Sequence, residues 1–497
     1  MTKILVERLT PSMSASAAFT CFADHKEIAF LDSNQGYGDL GRWSIIASRP
    51  WMRLRGWTDF CLLNGQRIDR DPFSTLQDLL SRYRAEPLRD MQAHLPLVGG
   101  CIGAIAYDAG FVLNDLPVPD RVDRSQPLVR FDFYDTLILF DHEQDETWLM
   151  ACGQLEPAEA GLARLRQILA VTTLQPTGND LQSKVGNQPQ PKVSDHPQPK
   201  VSDHPQPKAG KDAQPESGKL LSIPPREPYM AKVEQLREWI RLGEVYIANL
   251  TGRFKAWSPL DSLELYARFR HVNPTPFAAL IRQEDLEWLS ASPERFFSIR
   301  LTGQGRRIET RPIKGTRPRS PDPVQDLANR LELENSGKDR SELLMIVDLE
   351  RNDLSRVCQP TSVNVDELFA LETFPEVFHL VSTISGLLRD DVDAVACMKA
   401  CFPGGSITGA PKMRSMELIE CLEDDARGFY TGCLGYFSAD GQADFSIIIR
   451  TMVRQNEQIV YGAGGGITWE SEAADEYQEI LDKTSYFRKL VEHVANQ

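Results

Sequence analysis

The chain has 497 residues, 41% of them hydrophobic, and a formal net charge of −15 at pH 7. That is ample for a large core, and the absence of a basic stripe argues against a nucleic-acid partner. An acidic chain that binds an anion must do so locally, through a metal, arginines or helix N-termini.

Nine cysteines are scattered with no CxxC pair. The closest, Cys397 and Cys401, are spaced to share a helix face. The pattern points to reduced thiols and a cytoplasmic setting. Met1 to Glu7 shows no signal-peptide core, and the most apolar run, Leu97 to Tyr107, is too short for a bilayer.

Residues 1–173 pattern as an α/β segment. Ala29-Phe30-Leu31 and Gly41 to Pro50 are strand-like, Pro72 to Arg84 has helical period, and Leu97 to Tyr107 suggests a buried strand. Asp132 to Phe140 and Thr147 to Cys152 alternate like a hairpin, and Ala158 to Leu169 predicts a helix. Residues 174–223 break the pattern. Pro189 to His196 recurs as Pro197 to His204, in a Pro/Gln/Lys/Ser-rich stretch too poor in large apolar residues to offset its ordering entropy. A disordered linker or a surface insertion is expected there.

Residues 224–497 are globular in composition. Pro228 to Leu242 predicts an amphipathic helix closed by Gly243, Val245 to Phe254 a strand, and Pro259 to Arg270 a helix. Phe277 to Arg282 and Glu287 to Leu289 lead into Ser292-Pro293-Glu294. Glu309 to Arg319 then predicts a β-segment ending in a turn at Gly315. Lys314, between Ile313 and Gly315, is placed as a strand-end lysine that partly apolar surroundings could turn into a nucleophile. Taken alone, it reads first as a solvated strand-end lysine.

A helix from Ser336 to Asp353 puts Asp339 and Glu342 on one face. A helix from about Glu472 to Val494 does the same for Glu476 and Glu479, with Lys483 one turn on. Two such pairs could hold one hard divalent cation with positions open for substrate, although each alone is an ordinary solvated face. Phe402 to Lys412 offers open amides beside Ser406 and Thr408, without the ending of a Walker loop. Tyr461 to Ile467 would bring bare backbone close to a ligand. Phe445 to Arg450 predicts a strand delivering Arg450 as a carboxylate fork, and His379 is either a buried histidine or a substrate neighbour.

Together and in this order, the stretches from Pro225 onward resemble the chorismate-utilising enzymes: anthranilate synthase component I, aminodeoxychorismate synthase component I, and the isochorismate and salicylate synthases. Pro312-Ile313-Lys314-Gly315-Thr316 and Phe402 to Lys412 are similar to the aminodeoxychorismate-forming members, and anthranilate synthases typically carry alanine at the Lys314 position. The resemblance implies an α/β (α+β) fold of two packed antiparallel β-sheets surrounded by helices. It implies Mg²⁺ on Glu342 and Glu479, with Asp339 and Glu476 close by. Tyr430, Arg450, Gly464, Gly465, Gly466 and Lys483 would hold the carboxylates of chorismate, and Thr316 and His379 would line its ring. Lys314 would be the nucleophile and Glu294 the general acid. Ile247 stands where isochorismate and salicylate synthases carry a lysine base and where aminating members usually carry glutamine. Leu343 and Leu344 also depart from the usual pattern beside the metal. No glutaminase segment is present, so ammonia would come from solution or a separate glutaminase subunit. The alternatives are an anthranilate synthase component I and a non-catalytic binding protein.

Overall fold

The computed structural model describes residues 4–33, 37–88, 92, 94–173 and 220–495. Two antiparallel sheets share two long strands, Trp43–Gly56 and Val129–Asp141, which pair along their whole lengths. The register shifts between Pro50 and Met52, and Arg49 is left-handed at φ 60°. Pro50 has no N–H to give the ladder, so the pair bends there and its two halves feed different sheets.

In the first sheet the order runs from Leu5–Leu9 through Glu146–Ala151 to the shared pair, then Ile28–Asp32, Phe277–Gln283 and Leu286–Ser292. It ends with Thr451–Gln455, Gln458–Ile467 and Ile247–Trp257. In the second, Cys61–Leu63 and Gln66–Ile68 lie on one side of the shared pair. Cys101–Ile105, Cys433–Phe437, Ala443–Ile447, Arg295–Thr302, Gly305–Thr310 and Val377–Leu387 follow on the other. Val377–Leu387 then pairs with both Ile313–Pro318 and Asn364–Thr373. These pairings are the two packed antiparallel sheets that the sequence led us to expect.

Strand period fixes which residues face which layer. Ala29, Ile45, Ala47, Leu137 and Leu139 point into one core with Phe131, Phe437 and Phe445. Their neighbours Ile28, Phe30, Ile46, Ile138 and Phe140 point the other way, into a second core covered by helices such as Ala158–Thr173, Arg226–Arg241 and Ser262–Val272. The glycine-rich strand Cys101–Ile105 is needed for closeness, because a Cβ on Gly103 would lie 1.9 Å from the Arg130 carbonyl oxygen.

Four expectations change. The buried strand expected over Leu97 to Tyr107 is confined to Cys101–Ile105. The C-terminal helix is two helices, Ala473–Lys483 and Ser485–Ala495, separated at Thr484, whose hydroxyl bonds back to the Ile480 carbonyl at 3.0 Å. Arg450 lies not in a strand but at a left-handed residue, φ 50°, between Ala443–Ile447 and Thr451–Gln455. The expected linker falls outside the described residues except at its end, where Leu220–Ser222 forms a short strand beside Ile247–Trp257. All nine cysteines are free, and Cys397 and Cys401 are buried on helix Ala394–Cys401. No helix among the described residues is long and apolar enough to cross a membrane.

Candidate active site

Lys314 sits in a bulge rather than a turn. Strand Ile313–Pro318 pairs Ile313 with Val381 and Thr316 with His379, and the register shifts between them, leaving Lys314 and Gly315 as the bulged residues. Gly315 has φ 81°, and a Cβ there would lie 2.8 Å from Asp339 Cγ, so only glycine fits. The half-buried Lys314 side chain donates from Nζ to the Ser406 carbonyl at 3.3 Å.

Three carboxylates approach from two helices. Helix Gly337–Ser355 starts at Ser336, whose hydroxyl accepts the Asp339 N–H at 3.2 Å, and it presents Glu342. Helix Ala473–Lys483 presents Glu476 and Glu479. Between them runs the glycine strand. A Cβ on Gly465 would lie 3.0 Å from Glu476 Oε2 and 3.3 Å from Glu479 Oε1. One on Gly466 would lie 3.3 Å from Lys314 Nζ, 3.5 Å from Glu342 Oε2 and 3.0 Å from Ile247 Cδ1. The bare backbone thus leaves open the space on which lysine and carboxylates converge.

Like charges crowd this space. Burial raises the Glu342 pKa, with Asp339 and Glu476 adding to it against Lys314 and Lys338. Burial and the neighbouring Glu479 charge raise Glu476. Burial also opposes the Glu479 carboxylate, but Lys483 at 2.5 Å outweighs it and the net shift is downward. Lys338 stands 4.0 Å from Glu342 and 3.6 Å from Glu476. Burial disfavours its ammonium, yet those two carboxylates raise its pKa. Asp339 turns to Arg317, at 3.1 Å.

The other walls carry the remaining groups. Thr316 Oγ1 and His379 Nδ1 are 2.9 Å apart, and burial pushes the His379 pKa down to about 4, so the ring is neutral. Arg450 donates to the Lys483 carbonyl at 3.0 Å, and Lys483 Nζ to the Gly464 carbonyl at 2.8 Å. Tyr430 is buried, and a Cβ on Gly462 would lie 2.3 Å from its ring. Glu294, 5% exposed, follows the strand-end Ser292-Pro293. Its pKa is raised by burial, against a hydrogen bond with Ser406 and the charge of Lys314. Ser406, in the turn Gly405–Ile407, therefore touches both Glu294 and Lys314.

Sequence reasoning missed Lys338, although its i, i+4 spacing from Glu342 could have found it. Ser406 was singled out only for the open amides beside it, not for the contacts with Glu294 and Lys314. No group of three or more His, Cys, Asp or Glu side chains among the described residues is gathered to hold a metal ion. Buried, mutually repelling oxygen donors are nonetheless the chemistry that a hard divalent cation satisfies, with water and substrate completing its shell.

A half-buried lysine, a buried glutamate and an acidic pocket floored by glycines have the make-up of a small-molecule site. The chain belongs to the chorismate binding enzyme family, which matches residues 51–489. It is 37% identical over 449 residues to aminodeoxychorismate synthase component 1 of Klebsiella aerogenes, covering 89% of each chain. Against the protein of the same name from Escherichia coli (strain K12) it is 37% identical over 465 residues, covering 92% of each. Among solved structures it is similar to anthranilate synthase component I from Streptococcus pneumoniae TIGR4, with a TM-score of 0.72 at 28% identity, covering 97% of this chain and 99% of that one.

Proposed function

We propose that this chain aminates chorismate to 4-amino-4-deoxychorismate, the precursor of 4-aminobenzoate and hence folate, with ammonia supplied by a separate glutaminase subunit. The observation that carries it is Lys314 facing Glu342 across Gly466 and sharing Ser406 with Glu294. The aminodeoxychorismate synthase relatives support the choice of product.

Lys314, as the free amine, forms a bond from Nζ to C2 of the ring while the C4–oxygen bond breaks and the ring double bonds shift between them. Glu294 gives its proton to the departing oxygen, which leaves as water. Burial raises its pKa, which favours the protonated form that an acid needs. Ammonia then bonds at C4, the double bonds shift back and the Nζ–C2 bond breaks. Splitting the displacement in two is what a covalent nucleophile contributes. Arg450, Lys483, Tyr430 and the amides of Gly464 to Gly466 bind the substrate carboxylates, while Thr316 and neutral His379 pack against the ring.

Glu342 and Glu479 would hold Mg²⁺, with Glu476 beside them and Asp339 behind, engaged by Arg317. The ion would neutralise the ring carboxylate of chorismate. Ile247, which cannot itself activate water, stands near Lys314 where a lysine base would favour hydroxylation, and this supports amination.

The test is a product assay with chorismate, Mg²⁺ and ammonium, with and without a lyase that releases 4-aminobenzoate. Lyase-dependent 4-aminobenzoate is expected, and Lys314→Ala should lower turnover on the order of a thousandfold or more. Anthranilate as product, or full activity in the variant, would overturn the assignment.

A further inference from the structure

Behind the site, the same helix that presents Glu342 carries a second glutamate with no part in the chemistry above. Glu350 is 8% exposed. Its Oε2 lies 2.7 Å from Thr310 Oγ1, and Thr310 Oγ1 lies 2.8 Å from the Phe296 carbonyl oxygen. A threonine hydroxyl has one proton, and both neighbours are nominal acceptors. If Thr310 donates to the carbonyl, its contact with Glu350 needs a proton from the carboxyl.

The carbonyl itself is exposed by a bulge. Strand Arg295–Thr302 pairs Arg295 with Ser446 and Phe297 with Phe445, so Phe296 is the extra residue and its carbonyl is left out of the ladder. Phe296 follows Glu294 by two positions. The other wall of Glu350 is the turn that holds Ser406, because a Cβ on Gly405 would lie 3.3 Å from Glu350 Cγ. Glu350 thus braces both segments that fix the Glu294 carboxyl.

We infer that Glu350 carries a proton at neutral pH and, through Thr310, acts as a positioning residue for the Glu294 carboxyl. Its surroundings agree. Burial pushes its pKa up to about 8, with the Thr310 hydrogen bond opposing and Glu294 and Asp353 adding to the rise. The charged and titratable groups facing it are Glu294, Asp353, Lys412 and Cys401. The one cation among them, Lys412, is engaged by Asp353 at 2.6 Å. Above about pH 8 the carboxylate would take the Thr310 proton for itself and release the Phe296 carbonyl. The positioning role rests on the proposed use of Glu294 as the acid, whereas the proton on Glu350 does not.

Two measurements separate these. The first is an infrared difference spectrum between wild type and Glu350→Gln, recorded without substrate. A protonated-carboxyl band should be present in the wild type at neutral pH, absent in the variant, and should fade as the pH rises through about 8. No such band would overturn the inference, whatever reaction the enzyme performs. The second is the pH dependence of kcat in wild type, Glu350→Gln, Glu350→Leu and Thr310→Val. Glu350→Leu and Thr310→Val should each lower kcat about tenfold with the chorismate KM within about twofold. Glu350→Gln, whose amide still donates to Thr310, should recover most of the loss and lack the wild-type decline above about pH 8. Superimposable profiles of wild type and Glu350→Gln would overturn the positioning role, as would an undiminished kcat in Thr310→Val.

Discussion

One helix, Gly337–Ser355, meets two sets of carboxylates, and they are treated in opposite ways. Near its start, Glu342 joins Glu476 and Glu479, opposed by Lys338, which is 43% exposed, and by Lys483, at 33%. Near its end, Asp353 holds Lys412 with both side chains under a tenth exposed, and Glu350 is hydrogen-bonded to Thr310. The rear set is satisfied internally and forms scaffold. The front set crowds three carboxylates, with Lys314, Lys338 and Lys483 among them, around an open space, a cost that a folded protein bears where a ligand will relieve it.

Breaking the rear set should have the largest effect. Lys412→Met leaves the Asp353 carboxylate buried without its partner and should cost about 3–5 kcal/mol in denaturant unfolding. A loss near zero would mean that the rear pair is no scaffold.

His379 provides a satisfied group whose effect depends on pH. Its folded pKa is lowered from 6.5 to about 4, so below 6.5 the unfolded chain takes up a proton that the folded chain refuses. Stability should therefore fall as the pH drops from 6.5 toward 4, and His379→Gln should flatten that slope, by about 1–2 kcal/mol midway through the window. Parallel stability curves for wild type and variant would contradict the neutral, buried assignment.

Glu476→Gln tests the front set with the opposite sign. Removing one of three crowded carboxylates should weaken the proposed Mg²⁺ binding roughly tenfold by calorimetry, yet raise the melting temperature of the metal-free protein by about 2 °C. A fall in both would show that Glu476 is scaffold too.

Much of this contrast was written in the chain. Asp339-Arg340-Ser341-Glu342 and Glu476 to Glu479 announced carboxylates on helix faces, and Gly464 to Gly466 announced bare backbone. The bulge at Lys314 was not legible, because Gly315 suits a turn and a bulge equally and the choice is made by Asp339 packing against it. Arg450 was misplaced for a similar reason: Phe445 to Ile449 is a largely apolar run that reads as one strand, and only tertiary pairing reveals the left-handed residue that follows it. Glu350 left a faint trace, an acid spaced to lie on the same helix side as Ile346, Val347 and Leu354. Its hydrogen-bond partner, Thr310, lies 40 residues away in sequence.

The two strands shared by both sheets have a bearing on how the protein comes apart. Trp43–Gly56 and Val129–Asp141 belong to each layer at once, so neither layer can release its ladder without opening the other. Heat or denaturant should meet one cooperative event spanning both layers, and a protease should gain the backbone around Lys314 only when the whole assembly melts.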